Sequence, residues 1–502
     1  MLLNQNVWVG LSGEEQASIR LDMANRHGLI AGATGTGKTV TLKVLAESFS
    51  AAGVPVFLAD VKGDLSGMCL AGDRVADTDG GEEKLADLNK RIEKFGLKEQ
   101  GFAYDSYPSV YWDIFGESGI PLRTTVSEFG PLLFSKLLDL NQTQTDILSL
   151  IFQIADDQGL LLLDLKDLKS MIKHVADNNA VYSADYGNIA KASANAILRG
   201  VVALEGKGGD RFFGEPALNI KDWFSTENGK GVINILDCRS LIQDPSLYAT
   251  FLLWMISELF EFLPEVGDLE KPRIVFFFDE AHFLFKDTSK ALKEKIEQLV
   301  RLVRSKGVGV YFVTQNPKDL PDSVLAQLGN KIQHALRAYT PDEEKTVKAA
   351  ARSFRVNPAF DTQEAIMNLG TGEAVVSFLD EKGTPGVAQI CKILPPQSMI
   401  KVIEDDIVRS CLAAAQSTRR LATSAGEERN AVLGGKLALL PVAQVLLLTE
   451  VGYQALVELE LRLYVSQQTL RRVLRLAYDD HEVDKAVLLE DEPQWHEDVE
   501  VS

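Results

Sequence analysis

Cysteine and histidine are both scarce. Cys69, Cys238, Cys391 and Cys411 are the only four cysteines, with neither C-x-x-C spacing nor the density of a disulfide framework. That argues against a structural zinc and against an oxidising compartment, and a reduced, cytoplasmic setting is expected in which they serve as packing residues. The six histidines, His27, His174, His282, His334, His481 and His496, contain no H-x-x-x-H pair, so a zinc hydrolase is not expected. Long apolar runs are missing too. The most hydrophobic stretch, Leu437 to Thr449, is broken by Pro441 and Gln444 and falls short of the ~20 residues that span a bilayer. The N-terminus shows no basic segment followed by an apolar core and a small-residue cleavage site, and no membrane insertion is expected. Positive charge is also in deficit, 52 Lys and Arg against 71 Asp and Glu, for a net charge of −19. This argues against a protein that coats nucleic acid with basic side chains. Nearly half of the deficit, −9, lies in Asp479 to Ser502. That tail reads as a solvated acidic end or, more sharply, as a mimic that fills a basic groove.

The 502 residues exceed one ordinary core and suggest two or three domains. Leu29-Ile30-Ala31 is strand-like, and Lys38 to Ser50 places Val40, Leu42, Val44, Leu45 and Phe49 at helical spacing. The β-rich run Val54 to Ala59 follows and ends in Asp60 and a polar turn, completing a strand–helix–strand unit. From Leu65 to Lys230 the β-signal fades, and Leu132 to Gln153 and Leu160 to Val175 carry leucines at helical intervals. Strand-like runs return at Gly231–Leu236, Arg273–Phe278, Gly309–Val313 and Lys331–Ala338, alternating with helical segments near Leu247–Phe262 and Ser289–Arg304. The alternation predicts an α/β fold with a doubly wound, mostly parallel sheet. Ala374–Leu379 and Val387–Ile393, split by Gly383-Thr-Pro-Gly386, predict an antiparallel pair closing that sheet. The expected organisation is a core in two parts, 1–64 and 231–398, a mostly helical insertion 65–230, a helical region 399–478 and a disordered acidic tail 479–502.

Between the first strand and helix, residues Gly32 to Thr39 read G-A-T-G-T-G-K-T. The pattern G-x-x-x-x-G-K-[ST] is a phosphate-binding loop: glycines let successive backbone N–H groups curl toward phosphate oxygens, and the following helix presents its positive end. Ala33, Thr34, Gly35, Thr36, Gly37, Lys38, Thr39 and Val40 are the expected nucleotide-binding residues. Lys38 would reach the β- and γ-phosphates of ATP, and Thr39 would give its hydroxyl to Mg2+. The run Ile274-Val-Phe-Phe-Phe-Asp279-Glu280 delivers two carboxylates at a strand's C-terminal end, where ligands bind in such sheets. Asp279 suits the magnesium, through its water shell, and Glu280 the attacking water. Thr314-Gln315-Asn316-Pro317 closes a further strand: Gln315 could sense the γ-phosphate or hold the water, or simply end the strand before a proline turn. Arg304 and Arg337 read either as charge-stabilising arginines, which usually act from a neighbouring subunit, or as surface ion-pair residues. Asp60 and Asp64, in the turn after the second strand, could lie near the metal, contact the nucleotide or serve the turn itself.

Together, G-A-T-G-T-G-K-T, the D-V-K-G-D-L-S-G run from Asp60 to Gly67, F-F-F-D-E-A-H from Phe276 and V-T-Q-N-P from Val313 resemble the HerA/FtsK superfamily of P-loop ATPases. The resemblance is closest to the bacterial YjgR-type, HerA-like branch, and it extends to Tyr111–Gly116, Pro121–Thr125 and Phe212–Pro216 within a span of about Asn4 to Ser398. It implies a RecA-like, additional-strand, catalytic-glutamate domain that assembles as a hexamer, with relatives that pump duplex DNA beside a nuclease partner. Carried onto this sequence, it assigns phosphate and magnesium to Lys38 and Thr39, metal to Asp279, water to Glu280 and the γ-phosphate to Gln315, with Arg304 and Arg337 at two arginine positions of the family. HerA motors place a β-barrel before the loop, and the 31 residues preceding Gly32 are too few for one. The segment from about Gly426, with Arg471, Arg472 and Arg475, does not match the branch. The readings that follow are an oligomeric DNA motor driven by ATP, an ATP-gated scaffold that moves no polymer, and a pump for protein substrates.

Overall fold

The computed structural model describes residues 1–116, 119–267, 269–286 and 290–403; the expected helical region beyond 403 and the acidic tail lie outside them. The described residues divide into two compact units, one containing 1–122 and 220–403, the other 123–219.

In the first unit, β1 (Asn6–Ser12) and β2 (Glu15–Arg20) form a hairpin, and β3 (Gly28–Ala31) leads to α1 (Lys38–Ala51) and β4 (Val56–Asp60). Next come α2 (Gly81–Lys94) and β5 (Ser109–Asp113). The second unit holds α3 (Val126–Leu137), α4 (Gln142–Asp157), α5 (Leu165–Asp177), α6 (Asn179–Tyr186) and α7 (Lys191–Gly206). The first unit resumes with β6 (Ile233–Asp237), α8 (Pro245–Phe262), β7 (Ile274–Phe278), α9 (Lys290–Val303), β8 (Val308–Thr314) and β9 (Asn330–His334). It ends with α10 (Pro341–Arg352), α11 (Thr362–Asn368), β10 (Glu373–Ser377) and β11 (Gln389–Ile393).

The strands join one sheet in the order β1-β11-β10-β9-β3-β8-β7-β4-β6-β5. Every pair from β9 to β5 is parallel, and β10, β11 and β1 add antiparallel strands. The expected α/β, doubly wound, mostly parallel sheet is therefore present, with β8 inserted between β3 and β7 as the additional strand. Both faces are covered, which explains why the central strands read as unbroken apolar runs. Val275 and Phe277 of β7 face the α1 side, where the Phe277 ring lies 5.1 Å from Tyr311 and 6.3 Å from Phe49. Phe276 and Phe278 face the other way, against Trp223, Phe57 and Phe312.

Several expectations need correction. The antiparallel pair does not close the sheet, because β11 pairs onward with β1. β1 and β2 were not legible: their alternation is interrupted by an irregularity between Trp8 and Gly10. β9 ends at His334, four residues before the expected Ala338, where the chain turns toward α11 through Leu336 N–H donating to the Ile366 carbonyl. β5 lies within the expected helical insertion yet pairs with β6 in the main sheet. In the second unit, the helical run from Leu132 to Gln153 is two helices. Asn141 caps α4 through a reciprocal bond with Gln144, and Gly130-Pro131 kinks α3. The run from Leu160 becomes helical only at Leu165, where Asp164 and Asp167 form the same kind of box.

Candidate active site

The carboxyl ends of the parallel strands lie in register. Ala31 of β3 pairs with Thr314 of β8, Phe278 of β7 with Phe312, and Ala59 of β4 with Phe278. The loops after β3, β4, β7 and β8 therefore emerge at one edge of the sheet, the edge where α/β sheets bind ligands.

The loop after β3 is fixed from several sides. Gly32 N–H donates to the Thr314 carbonyl at 3.2 Å, Ala33 N–H to the Ala335 carbonyl at 2.9 Å, and Thr36 Oγ1 to the Ala33 carbonyl at 2.7 Å. Gly37 adopts φ 110°, a conformation that favours glycine, and opens α1, while Thr34 and Gly35 form the exposed tip. A side chain at Gly32 would stand 2.5 Å from His334 Cβ, so only glycine fits there. The buried His334 ring explains this close approach: Nδ1 donates to the Glu373 carbonyl at 2.8 Å and Nε2 accepts from Thr41 Oγ1 at 2.8 Å. No sequence motif marks His334 or its support of the loop.

Lys38 folds over the loop, its Nζ donating to the Gly32 carbonyl at 2.7 Å and the Ala33 carbonyl at 3.1 Å. Burial, then repulsion from Lys62, lowers the proton affinity of Lys38, against the pull of Glu280 and Asp279. Thr39 Oγ1 donates to Asp64 Oδ2 at 3.0 Å. Val40 lies in the first turn of α1.

Across the edge, Glu280, the second residue beyond β7, takes a left-handed conformation, φ 47°. Its side chain, 4% exposed, accepts from Gln315 Nε2 at 3.3 Å on each oxygen and pairs with Lys62 Nζ at 2.5 Å. Burial raises its carboxyl, but the bond and charge of Lys62, then Gln315, outweigh it and hold Glu280 below the ordinary range. Asp279 goes the other way: burial, relieved in part by Lys62 and reinforced by Glu280, Asp60 and Asp64, pushes it up to about 7. Asp60 serves the turn, accepting from the Lys62, Gly63 and Leu65 N–H groups at 3.2, 2.7 and 2.9 Å. Asp64 instead accepts from Thr39 of the loop, so the two acids left open by the sequence part company.

These residues fit a divalent cation. Asp64 Oδ1 is buried without a hydrogen bond, beside the Thr39 hydroxyl, and Asp279 carries a carboxylate whose negative charge is disfavoured until a cation arrives. Thr39 Oγ1, Asp64 and Asp279 are the oxygen donors that such a cation would use.

The two arginines sit differently. Arg337, beyond β9 at the same edge, donates to the Met367 carbonyl and, at 3.1 Å, to the Leu369 carbonyl. Arg304 is exposed and precedes β8, so it lies at the opposite edge, about 20 Å away along the seven residues of that strand. The structure does not bring it to the site within one chain.

A profile for the C-terminal region of HerA-like helicases matches residues 8–430. The chain belongs to the HerA-like helicase family. It is 24% identical over 367 residues to the DNA double-strand break repair helicase HerA of Sulfolobus acidocaldarius, covering 72% of this chain and 64% of that protein's length. The HerA-like fold also resembles VirB4 of Thermoanaerobacter pseudethanolicus, at TM-score 0.50 and 14% identity over 78% of this chain and 97% of that one. The bacterial conjugative coupling protein TrwB, lacking its first 70 residues, superposes at TM-score 0.50 and 14% identity over 80% of this chain and 93% of its own. No helix among the described residues is long and apolar enough to cross a membrane.

Proposed function

We propose that this HerA-like chain binds ATP with Mg2+ and hydrolyses it, as an oligomeric motor that acts on DNA. The observation carrying the first half is the convergence of the Lys38 loop with Asp279, Glu280 and Gln315 at one sheet edge, with Gln315 bonded to Glu280. Backbone N–H groups of Ala33 to Val40 and the Lys38 ammonium bind the phosphates. Thr39 and Asp279, with Asp64 beside them, hold the magnesium, which when bound neutralises charge on the phosphate oxygens. Glu280 accepts a proton from the attacking water, and Gln315 orients that carboxylate. Arg337 serves the same edge, whereas Arg304 can serve only the site of a neighbouring subunit.

The second half rests on kinship with a protein named as a DNA repair helicase. A hexameric assembly and a nuclease partner belong to the same reading. The test is ATP turnover with and without duplex DNA over a range of salt. A DNA motor shows stimulation that fades as salt rises. Turnover indifferent to duplex DNA at low salt would leave an ATP-gated scaffold, a role the net charge of −19 suits. Absence of any turnover would sink the ATPase.

A further inference from the structure

Lys62 lies outside the residues that the phosphate loop and the acid pair single out, yet its Nζ stands 2.5 Å from Glu280 Oε1. Gln315 Nε2 is 3.3 Å from both oxygens of that carboxylate, and His282 Nδ1 is 3.2 Å from Oε2. Both oxygens are engaged. A carboxylate held by an ammonium accepts a water proton poorly, so Glu280 must regain an oxygen before it can activate water. Lys62 is the partner built to leave: it rises from the turn that Asp60 holds and is half exposed, with a flexible four-carbon stem. Gln315, by contrast, directly follows β8.

Lys62 is also the second ammonium of the site, close enough to Lys38 to repel it. Asp64, Asp279 and Glu280 draw it in. Two cations converging beside a phosphate loop supply the charge that a terminal phosphate group needs.

We propose that Lys62 is a γ-phosphate-responsive switch, which pairs with Glu280 until a nucleoside triphosphate enters and then moves to its terminal phosphate, releasing Glu280 to the water. The proposal rests on the ATPase reading. A diphosphate offers no such group and leaves the pair closed. Lys62 is thus a positioning residue for Glu280 and a contact that distinguishes ATP from ADP.

The experiment measures ATP and ADP affinity of the full chain by displacement of a fluorescent nucleotide, for the wild type, Lys62→Met, Lys62→Gln, Lys62→Arg and Glu280→Gln. The phosphate contact, less the Glu280 pair given up for it, predicts that Lys62→Met weakens ATP binding about fivefold or more while ADP stays within about twofold. Lys62→Gln, which keeps a donor for Glu280, gives the same selective loss, so the result does not depend on how well the methionine variant folds. Lys62→Arg recovers most of the preference for ATP. Glu280→Gln tightens ATP relative to ADP, because Lys62 no longer has to leave a carboxylate. Equal weakening of both nucleotides, or of neither, in the Met and Gln variants overturns the switch while leaving a hydrolysing wild type intact. A wild type that binds neither nucleotide overturns the ATPase reading and the switch together.

Discussion

Glu280→Gln is the sharpest single perturbation of the candidate site. The substitution keeps the size of the side chain and the hydrogen-bonding reach toward Gln315, 3.3 Å away, and removes the negative charge that faces Lys62 at 2.5 Å. With Lys62 half exposed, solvent screening limits the lost ion pair to about 1 kcal/mol or less, so the melting temperature should move by no more than about 2–4 °C. The effect on chemistry is far larger. A positioned general base contributes about 10²–10⁴-fold to rate, which corresponds to about 3–5 kcal/mol in the barrier. The variant should therefore bind ATP and remain folded while kcat falls at least about a hundredfold. A coupled assay of phosphate release, alongside nucleotide displacement and thermal unfolding, separates the three quantities. Lys38→Ala is the control in the other direction, losing nucleotide binding itself. If the glutamine variant turned over within tenfold of the wild type, the water would take its proton elsewhere and the assignment of Glu280 would fail.

Two further predictions test the scaffold around the site. Asn141→Ala removes the reciprocal cap of α4 and should cost about 1 kcal/mol, seen as faster amide exchange in the first turn of that helix; unchanged exchange would mean that the cap contributes nothing. His27 is buried, its Nε2 donating to the Val300 carbonyl at 2.9 Å and its Nδ1 accepting from Val310 N–H at 3.0 Å. Burial pulls its pKa down to about 4. The unfolded chain takes up a proton below pH ~6.5 that the folded chain refuses, so this group's contribution is intact above that pH and is lost as pH falls toward 4. His27→Asn, whose side chain tolerates the φ of 57°, should be the less stable protein at pH 7. Its deficit relative to the wild type should shrink by about 3 kcal/mol by pH 4. A deficit that stays constant in urea titrations across this range would show that His27 does not titrate as its burial requires.

How far the sequence reveals the site depends on whether the controlling contacts are local. β3, α1, β7 and β8 are legible because a strand buried on both faces must be apolar along its length, and α1 follows a loop whose glycines are dictated by backbone geometry. β5 is not. Its pentapeptide Ser109–Asp113 is short, lies among helical patterns, and finds its partner β6 more than a hundred residues later. The N-terminal hairpin is hidden by its irregularity, and β1 reaches the main sheet only through β11, near the other end of the described chain. Lys62 and His334 escape for a related reason. Lys62 stands in the Asp60 to Gly67 run that carries the resemblance, but its contact does not follow from that run: each acts across the fold, Lys62 on Glu280 and His334 between Thr41 and Glu373. Asp60 and Asp64 show the limit most plainly: two acids four residues apart in one turn, one spent on three backbone N–H groups and the other beside Thr39.

The register of β8 is what turns these pieces into one site. Phe278 sits opposite Phe312, and Thr314 opposite Ala31, so Glu280 is level with the end of β8, where Gln315 leaves the strand. Side chains alternate across a sheet, and a slip of one residue would send Gln315 to the other face and remove it from Glu280. The aromatic pairs Phe277–Tyr311 and Phe278–Phe312, at 5.1 and 5.8 Å, are therefore more than core filling: they bind the strand leading to the carboxylate proposed to activate water to the strand leading to its amide partner. Disturbing them would uncouple Glu280 from Gln315 with both residues still present. The functional unit is thus the pair of strands, and the two polar residues at its edge inherit their geometry from it.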